Sequence, residues 1–168
     1  MGGEHPPDRS RRDLGAAWRA LRRRPSAVTF RRDRLHGSAV EVAGRGLLIL
    51  GMSGAGKSRL ALDLIGIGAG LIADDQVDLV RREDQVILSA PEPIRGMIEA
   101  RGLGLLRCPA VGPVPLHAVL DLDTLEESRL PEPAHRQVMG LSFPLIRTPE
   151  AGHSGAALKL LLTYGLAT

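Results

Sequence analysis

Cysteine is almost absent from this 168-residue chain: Cys108 stands alone, which excludes an internal disulfide and a cysteine-based zinc site. Its default role is that of a small hydrophobe. Aromatic residues make up 2%, and only Trp18 and Phe30 accompany the arginine-rich beginning as stacking groups, so sequence-specific nucleic-acid binding has little support. No uncharged apolar run approaches the roughly eighteen residues of a membrane span, and the basic start lacks the continuous apolar segment of a secretory signal. A cytoplasmic protein is expected. Lysine is scarce too: among 22 basic residues, only Lys57 and Lys159 are lysines.

Charge is distributed unevenly. Residues 1–35 hold ten arginines against four acids, a balance of +6, whereas the remainder carries twelve basic and fifteen acidic groups, or −3. We therefore expect a basic leader over residues 1–34 and a mildly acidic catalytic domain over 35–168. Within the leader, residues 13–24 predict a short helix with Leu14, Ala17, Trp18 and Leu21 on one face, stopped by Pro25.

Against this background the stretch Gly51-Met52-Ser53-Gly54-Ala55-Gly56-Lys57-Ser58 stands out. It satisfies G-x-x-x-x-G-K-[ST] and follows the apolar run from Gly46 to Leu50. The glycines let backbone N–H groups turn inward around an anion, Lys57 can reach the β- and γ-phosphates, and the Ser58 hydroxyl can ligate Mg²⁺. A compact ammonium fits a tight phosphate loop better than a planar guanidinium, which explains a lysine here in an arginine-rich chain.

Periodicity supplies the surroundings. Residues 35–43 alternate and turn at Gly44-Arg45-Gly46 into the strand ending at Leu50, which predicts two strands joined by a tight turn. From Lys57 to Ile65, Leu60, Ala61, Leu64 and Ile65 recur at helical spacing. Leu71 to Asp75 reads as a brief apolar strand delivering two carboxylates at its end, and residues 78–90 as a hairpin around Glu83-Asp84. Further strands are expected over 116–122 and 141–146, a polar surface loop over 125–137, and a closing helix over 155–166 with Leu158, Leu161, Leu162 and Tyr164. The fold class is α/β, a central sheet with flanking helices.

The carboxylates decide what the loop is for. Asp74 and Asp75 follow Ser58 after one helix and one strand, so that both strand ends can face one edge and place an Asp near the γ-phosphate or its metal. Successive residues project to opposite sides of a strand, so the two aspartates divide roles. Glu99 is a second candidate metal ligand, Arg101 a candidate charge stabiliser, and His36 a polar residue ahead of the loop.

The ordered set His36-Gly37, the loop 51–58, Ala73-Asp74-Asp75 and Glu99-Ala100-Arg101-Gly102-Leu103-Gly104 resembles the kinase domain of HPr kinase/phosphorylase, over about residues 35–166. The resemblance implies a P-loop domain of the HPr kinase/PEP carboxykinase-like type that phosphorylates a serine of HPr, the phosphocarrier of the bacterial phosphotransferase system. It implies ATP on residues 51–58 and Mg²⁺ at Ser58 and Glu99. Asp75 matches the carboxylate that takes the serine proton, Asp74 its supporting neighbour, and His36 a histidine close to that carboxylate. Arg129 corresponds to an arginine of the family's substrate loop. A homohexamer with shared HPr sites is also implied.

Two departures qualify this picture. Family members carry an additional N-terminal domain, so a short form is expected. Where the family has a P-G-R-N loop linked to dephosphorylation, this chain has Pro149-Glu150-Ala151-Gly152-His153-Ser154, without the arginine, and reduced phosphorylase activity is expected. Two other functions share the loop: a small-molecule kinase or other P-loop NTPase, and a non-catalytic ATP-sensing module.

Overall fold

The computed structural model describes residues 31–167, and the helix expected over 13–24 lies outside them. Strand β1 spans Arg31–His36, four residues ahead of the expected domain start at 35, and pairs antiparallel with β5 (Gln76–Arg82) from Arg31↔Arg81 to His36↔Gln76. Its polar composition hid it: as an edge strand it is exposed almost throughout. Strands β2 (Ser38–Val42) and β3 (Arg45–Leu50) form the expected hairpin. Helix α1 (Lys57–Gly66) follows, then β4 (Gly70–Ala73), β5 and β6 (Gln85–Ser89).

The main sheet is mixed, in the order β1-β5-β6-β9-β3-β2-β4, with β9 spanning Val114–Glu126. Strands β3 and β9 run parallel; β2 runs antiparallel to both β3 and β4. The phosphate-loop strand β3 and strand β4, which ends just before Asp74, thus point the same way without being neighbours, since β2 lies between them. The long β9 is shared at its two ends. It meets β6 near Val114, whereas its second half lies between β3 and β11 (Leu141–Pro149), and β11 pairs in turn with β10 (Ala134–Val138). A small hairpin of β7 (Met97–Ala100) and β8 (Gly104–Arg107) stands apart from the main sheet.

Period-two alternation sorts the strand residues between two apolar clusters. Leu47, Ile49, Val40, Ala118 and Leu120 join Leu60, Ala61 and Leu64 of α1 and Leu158 and Leu162 of α2 (Gly155–Tyr164). Ala39, Leu48 and Val119 face the other way and pack with Val77, Leu79, Val86, Leu88 and Phe143. One face is therefore covered by the described helices, and the other by the sheet curling over itself. Because the central strands are buried on both faces, they read in sequence as continuous apolar runs such as Leu47 to Leu50.

Two local expectations change. The polar region 125–137 is loop only over 127–133, because β9 continues to Glu126 along β11 and β10 starts at Ala134. Tyr164 is 80% exposed rather than buried with Leu158 and Leu162. It lies two residues beyond Leu162, hence on the far side of the helix.

Candidate active site

The loop leaves β3 through Gly51 (φ 152°) and passes Gly54 (φ 83°) and Gly56 (φ 99°), all in a region that side chains rarely adopt. Gly56 is the N-cap of α1, and no side chain caps the helix. Its first N–H groups therefore remain available to an anion, and no acidic residue in the first turn opposes one. Lys57 is buried and donates to the carbonyls of Gly51 and Met52, each at 2.8 Å.

Asp74, also buried, gathers three segments around one carboxylate. It accepts from the Ser38 hydroxyl at 2.6 Å, from the Ser58 hydroxyl at 2.8 and 3.0 Å, and from the Glu99 N–H at 3.1 Å. Strand β2, the start of α1 and strand β7 are fastened together at that point. A buried carboxylate is costly unless such donors surround it. Ser38 was not singled out in the sequence; its signal is a hydroxyl in an otherwise apolar strand, and it is fully buried.

Asp75 does the opposite. Its φ of 68° places a non-glycine residue in the left-handed region, and its side chain is exposed. The Asp75 carbonyl accepts from the Gly37 N–H at 3.1 Å, joining the β4–β5 corner to the β1–β2 corner. His36 Nδ1 consequently lies 3.3 Å from Asp75 Oδ1. Neither aspartate lies in a strand, so the alternation expected of a strand does not separate them: both occupy the corner between β4 and β5 and both line the cleft, Asp74 bonded on three sides and Asp75 open.

These groups line a cleft of about 1010 Å³ floored by the phosphate loop. Glu99 and Arg101 reach it from the β7–β8 hairpin; Ile98, which alternates with Glu99, is buried beneath. Arg129 lies exposed in the 127–133 loop and is not part of the cleft wall. The structure thus brings together His36, residues 53–58, Asp74, Asp75, Glu99 and Arg101, and leaves Arg129 outside. Asp123 is another residue the sequence reading passed over: its Oδ2 accepts from the Met52 N–H at 2.8 Å.

The donor set of the cleft suits Mg²⁺. Ser58 and Glu99 offer oxygen ligands only, as a hard cation requires, and Asp74 behind Ser58 orients that hydroxyl. Among the described residues, no group of three or more His, Cys, Asp or Glu could hold a metal by itself. A cation that takes one or two protein oxygens and completes its shell with phosphates and water fits this site. No helix of the described residues is long and apolar enough to cross a membrane.

Residues 29–111 match the family model of the HPr Serine kinase C-terminal domain. The HPr kinase/phosphorylase of Clostridium tetani is 48% identical over 92 residues, which is 55% of this chain and 30% of that protein. That of a Polaromonas species is 37% identical over 142 residues, 76% of this chain and 45% of the relative. The chain thus spans less than half the length of these curated relatives. The solved structure of the Hpr(Ser) kinase/phosphatase from Coxiella burnetii superposes with a TM-score of 0.66 at 26% identity, covering 77% of this chain and 93% of that one. In matched sequence and in fold, the chain belongs to the HPr kinase/phosphorylase family and corresponds to its C-terminal kinase domain.

Proposed function

We propose that this chain transfers the γ-phosphoryl group of ATP to a serine hydroxyl of HPr. The observation that carries the reading is the division of labour between adjacent aspartates: Asp74 holds Ser58 and the cleft wall, while Asp75 stands open beside His36. The loop N–H groups and the start of α1 bind the phosphates, and Lys57 exchanges its two carbonyl partners for phosphate oxygens. Asp75 accepts the hydroxyl proton as serine Oγ bonds to the γ-phosphorus and the bond to ADP breaks; His36 orients that carboxylate. Ser58 and Glu99 are the residues that hold Mg²⁺, which when bound neutralises charge on the β- and γ-phosphates. Arg101 adds positive charge from the cleft wall.

The same reading includes weak phosphorylase activity, since the segment after β11 lacks the family's arginine, and assembly as a homohexamer. Labelled ATP with HPr tests the kinase: transfer to serine that disappears in Lys57→Ala and Asp75→Ala supports it. ATP binding with no transfer to HPr overturns it in favour of a sensor. Rapid pyrophosphate release from phospho-HPr and phosphate would remove the phosphorylase part, and sedimentation of the purified chain measures the assembly.

A further inference from the structure

We infer that Asp123 is a positioning residue that holds the phosphate loop open for nucleotide, and that a bulge in β9 exists to deliver it. This inference rests on the reading of the cleft as an ATP site.

The pairing of β9 with β11 runs in register to Asp121↔Arg147 and resumes at Leu125↔Thr148. Residues 122–124 have no partners on β11 and bulge from the ladder. Such bulges bend a strand and re-aim side chains, and they recur beside active sites. This one is pinned by Asp121, whose carboxylate accepts from the Asp123 N–H at 3.0 Å, the Thr124 hydroxyl at 3.2 Å and Arg136 Nη1 at 2.6 Å. The Thr148 hydroxyl donates to the Asp121 carbonyl at 2.9 Å. Asp121 is buried, so the Arg136 ion pair is shielded at its carboxylate end.

What the bulge delivers is a carboxylate on the first peptide of the phosphate loop. Because Leu50 pairs with Asp121 across parallel strands, the chain leaving β3 and the bulge leaving β9 emerge side by side. Asp123 Oδ2 then accepts from the Met52 N–H. The Met52 carbonyl meanwhile accepts from Lys57 Nζ at 2.8 Å and from the Ala55 N–H at 3.1 Å. Lys57 must give up its carbonyl contacts when it turns to phosphate. The bond from Asp123 is made at the outer end of the loop and does not have to break, so it keeps the Met52 peptide in place during that exchange.

The charge of Asp123 works against the nucleotide that its hydrogen bond to the loop favours. A carboxylate near a polyphosphate repels it, so its presence raises affinity only if the hydrogen bond outweighs the repulsion. The two effects have opposite signs in a variant. Asp123→Ala removes both, whereas Asp123→Asn removes the charge and keeps an amide oxygen as acceptor.

Two measurements on the full chain test this. Amide exchange of Met52 in the nucleotide-free protein reads the bond itself, independently of any kinase activity. Exchange at least about tenfold faster in Asp123→Ala, with Asn close to wild type, supports the inference; unchanged exchange overturns it. Equilibrium binding of MgATP reads the consequence. The expected result is about tenfold weaker binding by Asp123→Ala at equal thermal stability, and binding by Asp123→Asn at least as tight as wild type. Tighter binding by Asp123→Ala overturns the positioning role. Wild type that binds no MgATP while Met52 exchange still depends on Asp123 overturns the ATP-site reading and the nucleotide purpose assigned to this bond.

Discussion

His36 Nδ1 lies 3.3 Å from Asp75 Oδ1, an exposed pair that joins the last residue of β1 to a carboxylate held in left-handed backbone. A polar contact so open to water contributes little to stability. Its consequence is chemical. Asp75→Asn should lower kcat for HPr phosphorylation by roughly 10²- to 10⁴-fold, the range for a lost general base, while leaving ATP affinity near wild type. Parallel measurement of kcat and of nucleotide Kd checks this; a lost Kd with retained kcat would mean that Asp75 binds rather than catalyses.

Asp74 is expected to act through stability instead. Removing its carboxylate leaves the buried Ser38 hydroxyl and the Glu99 N–H without their acceptor. Asp74→Ala should therefore lower unfolding free energy by about 1–3 kcal/mol, more than any exposed acidic residue of the cleft. Urea midpoints of Asp74→Ala and Asp75→Ala, compared side by side, are the measurement. Equal midpoints would contradict the assigned division of roles.

Glu99 should reveal itself in the metal dependence. Glu99→Gln keeps the backbone N–H that Asp74 accepts and weakens only the oxygen ligand. The expected outcome is roughly a tenfold rise in the Mg²⁺ concentration giving half-maximal activity, with the urea midpoint unchanged. Chelation with EDTA should abolish transfer in both proteins. An unaltered Mg²⁺ requirement in the variant would exclude Glu99 as a ligand.

His117, on β9, titrates below its ordinary value of 6.5, first because partial burial disfavours the imidazolium and then because Arg45 is nearby. The unfolded chain takes up the proton more readily than the native protein does. Stability from this group is fully present above pH 6.5 and declines as pH falls through 6.5 towards the lowered folded value. His117→Gln should flatten that part of the profile. Urea midpoints collected between neutral and mildly acidic pH give the comparison, and identical slopes for the two proteins would remove His117 from the acid response.

Much of the site was readable because its parts are short and contiguous. The loop 51–58, the helix that opens on it and the Asp74-Asp75 pair each depend on neighbours a few residues away, so residue type and spacing carried them. Ser38, Asp123 and Arg136 were not readable in this way. Their partners lie 36, 71 and 15 residues distant, and each looks in sequence like an ordinary polar residue. The strand β1 was missed for a related reason: its residues bury little, and only pairing with β5 makes it a strand.

By itself the sequence determined that a phosphate-binding loop is present, that two carboxylates follow at a usable distance, and that the chain resembles one kinase family. Those properties reside in local backbone freedom, side-chain chemistry and spacing. Only the tertiary structure decided which aspartate is buried and which is open, that Arg129 stands away from the cleft, and that a bulge of β9 reaches the loop entrance. The reason is that burial and strand register belong to surfaces assembled from distant segments, and no single segment contains the partner that sets them.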